Sequence, residues 1–195
     1  MPFSYGILCE GDSDLYTLEI ICRRVAEIHD SEINLISDVS EPVNGPVSKA
    51  NIKAKTRLFI ANGANFGIYV ADLDKGTIDK SRLFKDSIEA VDTLWMEGAV
   101  IGVPNPHLEE WLIKDEDFIK NQLDLNRSSP LPHPAESPKN RMKQLVSQNG
   151  PDELTVGEFR KIVAEGMNLD TLISKSPSFS AFVRSMNTAL NYLKR

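Results

Sequence analysis

Twice in this chain a short apolar run stops on an acid and a turn or helical pattern follows. The first run is Gly6-Ile7-Leu8-Cys9-Glu10-Gly11-Asp12-Ser13-Asp14, and the second is Phe66-Gly67-Ile68-Tyr69-Val70-Ala71-Asp72-Leu73-Asp74. An apolar run of this length, bounded by turn residues, is the pattern of a strand covered on both faces. Such strands belong to parallel sheets flanked by helices. In an extended chain residues i and i+2 share a face, so Asp72 and Asp74 are expected on one side. Two strands that end this way at one edge of a parallel sheet would gather Glu10, Asp72 and Asp74 into one acidic pocket.

The rest of the chain supports that arrangement. Residues 3–9 read as strand one, and a helix follows over about 14–29, with Leu15, Leu18, Cys22, Val25 and Ile28 on one stripe. Asp12 or Ser13 is its expected N-cap. Residues 32–39 read as strand two. A helix over 49–64 carries Lys49, Lys53, Lys55 and Arg57 and stops at Asn62-Gly63. Strand three spans 66–71, a helix spans 82–97, and strand four spans 99–103. Pro104-Asn105-Pro106 then breaks the pattern, and a short helix opens near His107. The alternation predicts an α/β fold: a doubly wound, four-stranded parallel sheet with right-handed crossovers.

Beyond Asp115 the pattern is helical, over about 115–125, 138–149, 155–165 and 177–194. Between the first two lies a loop with Pro130, Pro132, Pro134 and Pro138. Residues 1–115 are therefore read as the α/β domain and 116–195 as a helical C-terminal cap. The apolar stripes of the cap need the sheet domain as a partner surface.

Charge narrows the function. The net charge is −6, which argues against a protein that coats nucleic acid by bulk electrostatics. It is compatible with an enzyme that meets phosphates through bound cations and a local basic patch. The longest apolar runs are far too short to span a bilayer, so no membrane partner is expected. The first residues lack the basic segment and apolar core of a signal peptide. Cys9 and Cys22 sit inside apolar patterns without metal-ligand spacing and read as small buried hydrophobes in a reducing, cytoplasmic setting.

Acids at the carboxyl ends of neighbouring strands suit a hard divalent cation, which one or two carboxylates hold together with water and substrate phosphates. The sequence Glu10-Gly11-Asp12-Ser13-Asp14, followed by Asp72-Leu73-Asp74, resembles the Toprim domain of topoisomerases, primases, RNA maturases and OLD-type nucleases. The resemblance covers roughly residues 3–115. Val103 to Asp115, with its Pro-rich start and Glu109-Glu110-Trp111-Leu112, is similar to a stretch of small stand-alone bacterial Toprim-like proteins of the DUF4276 type. Ser176-Pro177-Ser178-Phe179 resembles the end of those proteins.

The resemblance implies Mg²⁺ or Mn²⁺ as cofactor. It makes Glu10 a general acid/base or metal ligand, and Asp72 and Asp74 metal ligands. Glu109 joins the catalytic set, with Asp14 and Asp115 as supporting acids. The chain departs from several members: it has no zinc-ribbon cysteines, no topoisomerase-type tyrosine context and no ATPase, which would have to be a separate subunit.

Other candidates stand beside these. His107 is a possible proton shuttle, though a local hydrogen bond at a helix start is its plainer role. Lys75 could face a phosphate in the transition state or simply occupy a surface turn. Lys49, Lys53, Lys55 and Arg57 could track nucleic-acid phosphates, as could Arg127, Lys139, Arg141 and Lys143, or each set could be a solvated face. No G-x-G-x-x-G, Walker A or G-x-S-x-G motif occurs.

The leading expectation is a Mg²⁺- or Mn²⁺-dependent phosphodiester hydrolase acting on DNA or RNA, with a bacterial defence role by analogy. One rival is a non-catalytic subunit that binds an ATPase through its helical tail; an open apolar face on the last helix would favour it. Another is a phosphotransfer enzyme on nucleotides, which would need an enclosed pocket.

Overall fold

The structure, a computed structural model, describes residues 2–73, 79–126, 131 and 137–195. Strands β1 (Phe3–Leu8), β2 (Ile33–Leu35), β3 (Phe66–Val70) and β4 (Ala99–Gly102) form one parallel sheet in the order β2-β1-β3-β4. Tyr5 pairs with Phe66 and Leu8 with Tyr69, while Gly67 pairs with Ala99 and Val70 with Gly102. The chain therefore leaves β1 in one direction to build β2, then passes back across β1 to build β3. Helix α1 (Asp12–Ile28) covers one face, and α2 (Lys49–Ala61), α3 (Lys80–Glu89) and α4 (Thr93–Glu97) cover the other. This is the doubly wound arrangement that the sequence predicts. Its crevice lies where the strand order reverses, at the carboxyl ends of β1 and β3.

Strand alternation explains the two faces. Tyr5, Ile7 and Cys9 point to the core around α1, with Phe66, Ile68 and Val70 beside them. Leu8, Tyr69 and Ala71 point to the core around α2 and α3. Gly6 and Gly67 are register partners. A Cβ on Gly6 would stand 2.3 Å from the Phe59 ring, and one on Gly67 would stand 2.7 Å from the Tyr69 ring. The glycine pair thus makes a trough in which two aromatic rings lie against the backbone. Gly6→Val is expected to cost at least ~2 kcal/mol by overpacking. Adding Phe59→Leu should recover part of that loss in urea denaturation, and strictly additive losses would count against the trough.

The C-terminal region adds α5 (Glu109–Leu112), α6 (Glu116–Gln122), α7 (Pro138–Asn149), α8 (Val156–Gly166), α9 (Leu169–Lys175) and α10 (Pro177–Leu193). Phe159 and Val163 of α8 and Phe179 and Phe182 of α10 join Leu18 of α1 and Ile68 and Val100 of the sheet in one apolar cluster. Position 115 therefore marks a change from strands to helices, with a shared core on either side. Helix α10 also closes the edge of β4, where the Ile101 N–H donates to Ser185 Oγ at 3.1 Å. An edge covered in this way cannot pair with another chain at that point.

Several local expectations change. Residues 32–39 do not form one strand: Ile36 makes the last bond to β1, donating to the Tyr5 carbonyl at 2.8 Å, and Ser37–Val39 turn into a 3₁₀ helix. Ser40 Oγ then accepts from the Ile7 N–H at 3.1 Å, doing the work of a strand carbonyl. The helix expected over 82–97 is two helices, because Asp92 accepts from the N–H groups of Leu94 and Trp95 and starts a new one. The N-cap of α1 is Gly11, without a side-chain cap, so neither Asp12 nor Ser13 has that role. Asp12 and Asp14 instead sit in the first turn, where the helix dipole favours acids. The stop after α2 is as expected, with Gly63 at φ +71° in the left-handed region.

Among the described residues no helix is long and apolar enough to cross a membrane. Cys9 and Cys22 are both buried and free, and burial pushes both thiols up, Cys9 to about 12.

Candidate functional site

Glu10 follows β1, and Asp72 follows β3 by two residues, which puts both at the switch point. The chain after β4 folds back over this edge. The Leu73 N–H donates to the Pro104 carbonyl at 2.9 Å, and the Leu108 N–H donates to Asp72 Oδ1 at 3.0 Å. His107 Nδ1 lies 3.2 Å from Asp72 Oδ2. Pro104 and Pro106 stop the strand so that the following turn can reach Asp72 instead of extending past it.

Helix α8 supplies a residue that sequence reasoning missed. Arg160 is 4% exposed. Its Nη2 donates to Asp14 Oδ1 at 2.7 Å, its Nη1 donates to Ser13 Oγ at 2.9 Å, and Nη1 also lies 3.4 Å from Glu109 Oε1. One guanidinium thus ties α8 to the first turn of α1 and to α5. Its Nε is buried with no hydrogen-bond partner among the described residues. A signal existed: Val156, Phe159, Arg160, Val163, Ala164 and Met167 follow helical spacing, so an arginine occupies the apolar stripe. A charge on that stripe calls for a buried partner. Lys80, the first residue of α3, was also missed; its Nζ stands 3.7 Å from Glu10 Oε1.

The electrostatics tie the acids together. Asp72 is pushed up to about 7, first by burial and then by the charges of Asp14, Glu10 and Glu109, while His107 pulls the other way. Four carboxylates therefore interact at one end of the sheet, and Glu109, 4% exposed, is turned into this group and away from solvent.

In the unfolded chain Asp72 titrates near its ordinary value of about 4, and in the folded chain near 7. The stability it contributes is fully present below about 4 and is lost as pH rises through about 7. Asp72→Asn, with chelator present, should therefore raise Tm at pH 8, and its advantage should shrink as pH falls toward 5. A Tm difference that does not change with pH would refute the coupling.

The other expected site residues divide. Asp115 does not join the cluster through a hydrogen bond: Oδ1 accepts from the Phe118 N–H at 3.2 Å as the cap of α6, and Oδ2 accepts from the Asn168 N–H at 2.7 Å. Its place is structural, joining two segments of the helical region. Asp74 and Lys75 lie outside the described residues, as do Arg127, Pro130, Pro132 and Pro134.

The basic residues of α2 do not form one stripe. Lys49, Lys53 and Arg57 follow at intervals of four, with Lys49 and Arg57 exposed. Lys55 turns elsewhere and donates to the Val39 carbonyl at 3.1 Å. It lies close enough to Cys9 to lower that thiol's pKa against the effect of burial. Arg141 is drawn in toward Glu116 at 3.4 Å, leaving Lys139 and Lys143 exposed. Glu110 is not solvated, since it pairs with Lys114 at 2.8 Å and accepts from Ser176 Oγ at 2.9 Å.

Cys9, Glu10, Asp14, Val70, Ala71, Asp72 and Leu108 line a narrow crevice with essentially no enclosed volume, about 0 Å³. That is below the roughly 300–1,000 Å³ of pockets that enclose a small organic ligand. Among the described residues no three His, Cys, Asp or Glu side chains are already arranged around one ion position. The donor set still fits a hard cation of the Mg²⁺ type, which takes one or two carboxylates and completes its shell with water and substrate oxygens. Glu10 and Asp72 would be that pair, and a cation would relieve the repulsion from Asp14, Glu10 and Glu109 that adds to burial in raising Asp72.

Comparison with protein-family models, with curated proteins and with solved structures finds no match.

Proposed function

We propose that this protein is a Mg²⁺- or Mn²⁺-dependent phosphodiester hydrolase that acts on DNA or RNA. The observation that supports it most is the electrostatic coupling of Asp72 to Glu10, Asp14 and Glu109 at the switch point of the sheet. Glu10 and Asp72 would hold the cation, which supplies charge neutralisation for the phosphodiester and a more acidic water. His107 and the Leu108 N–H orient the Asp72 carboxylate. Lys80, beside Glu10, places a positive charge where a phosphate would approach.

Two observations favour this reading over its rivals. Among the described residues the crevice encloses no nucleotide-sized cavity, which suits a substrate that lies across the site. The apolar face of α10, which an interaction subunit would have to present, is already buried through Phe179, Phe182, Met186 and Leu190. The test is incubation of the purified protein with supercoiled plasmid and with structured RNA, in Mg²⁺, in Mn²⁺ and in chelator. Cation-dependent nicking or cleavage is expected. Absence of cleavage under every condition, together with capture of a separate ATPase chain, would replace this function with that of a binding subunit.

A further inference from the structure

The Arg160 side chain is as deeply buried as Glu109, at 4% exposed, and its contacts divide the four carboxylates unequally. Asp14 is held at 2.7 Å and Glu109 at 3.4 Å, both by the same guanidinium. The hydrogen bond to Ser13 Oγ at 2.9 Å fixes the plane of the fork. Asp72 is instead oriented by His107 and the Leu108 N–H, and Glu10 faces Lys80. A planar guanidinium with donors in a fixed fork fixes the direction of two carboxylates at once, whereas an ammonium holds its partners with freely rotating donors.

On the cation-dependent reading above, we propose that Arg160 is a positioning residue. It keeps the side chains of Asp14 and Glu109 for itself and balances their charge, so that a divalent cation is held by Glu10 and Asp72 rather than by all four of these carboxylates. The helical C-terminal region thereby becomes part of the site, because α8 delivers the charge that decides which acids serve as ligands. A site with fewer carboxylate ligands leaves more of the cation's shell to water and substrate oxygens, as an open catalytic site requires. Without Arg160, two more carboxylates would turn toward the ion, bind it more tightly and close its shell.

A merely structural tie has the opposite consequence. Its loss would scatter the ligands and weaken cation binding. The experiment is a Mn²⁺ titration followed by electron paramagnetic resonance of the free ion, on the full chain, for the parent, Arg160→Gln, and Arg160→Gln combined with Asp14→Asn. Arg160→Gln is expected to bind Mn²⁺ at least tenfold more tightly than the parent, and the double variant should lose most of that gain. Binding by the parent with equal or weaker binding by Arg160→Gln would overturn the role of Arg160 and leave the cation-dependent reading standing.

A parent that binds no Mn²⁺, whatever Arg160→Gln does, would overturn the cation-dependent reading and with it the role of Arg160. Should circular dichroism show Arg160→Gln to be unfolded, Arg160→Lys decides. It keeps the charge without the fork, and a severalfold tightening supports the proposal, whereas unchanged or weaker binding overturns it.

Discussion

Glu10→Gln is expected to lower the rate of cation-dependent cleavage at least about a hundredfold while the fold persists. The substitution keeps the size of the side chain and removes its charge. A hundredfold loss corresponds to ~2.7 kcal/mol of barrier, a modest demand for a group that would both hold the cation and carry charge at the reacting phosphate. Folding should tolerate the change, because Glu10 is one of the charges that raise Asp72 and its removal relieves repulsion within the cluster. The ion pair with Lys80 that the variant gives up is long, at 3.7 Å, and its loss offsets only part of that relief. In chelator, Tm of the variant should match or exceed that of the parent, and added Mg²⁺ should narrow the gap by stabilising the parent. Cleavage assays and thermal melts on the two proteins from matched preparations are sufficient. Equal cleavage by both would point to a contaminant or to a different active site.

Trp111→Ala should be the most damaging single change to the fold, costing about 3–5 kcal/mol. The indole is completely buried, with ring centroids 5.2 Å from both Phe179 and Phe182, and Nε1 donates to Ser178 Oγ at 2.8 Å. It joins α5 to the start of α10 and touches the space left by Gly102, where a Cβ would stand 3.1 Å from the ring. For a chain of this length the loss corresponds to a fall in Tm of roughly 6–20 °C. Trp111→Phe should cost much less, since it keeps a ring in the cluster and gives up chiefly one hydrogen bond of about 1 kcal/mol. The consequence reaches the site because Glu109 lies on the same short helix. Urea denaturation of both variants checks the order. A loss below about 1 kcal/mol for Trp111→Ala would mean that α10 is held by other contacts.

Much of this arrangement is legible in the sequence for reasons that are local. Apolar runs such as Ile7-Leu8-Cys9 and Ile68-Tyr69-Val70 have no face that water could wet, so they belong inside a covered parallel sheet. Acids immediately after them fall at its carboxyl edge wherever the helices go. Helices α7, α8 and α10 lie within a residue or two of expectation because their caps and stripes are consecutive in the chain. Trp111 and the two cysteines are buried, as their apolar neighbours suggest. Local rules fail where a long-range partner intervenes. Residues 37–39 leave the strand because Ser40 takes over its hydrogen bond to Ile7.

By itself, then, the chain determines a doubly wound parallel sheet with Glu10 and Asp72 at one end, since periodicity and punctuation act between neighbours. Only the tertiary structure decides what surrounds those acids. Asp14 and Arg160 are 146 positions apart, and Asp72 and Leu108 are 36 apart. Asp115 has the same local appearance as a site acid, but it is engaged by the N–H groups of Phe118 and Asn168. Lys55 belongs to a basic segment, but it turns to the Val39 carbonyl. Whether a carboxylate is a ligand, a cap or half of an ion pair depends on which donor stands within about 3 Å of it. That distance is set by how α5 and α8 pack against the sheet, and no spacing along the chain encodes it.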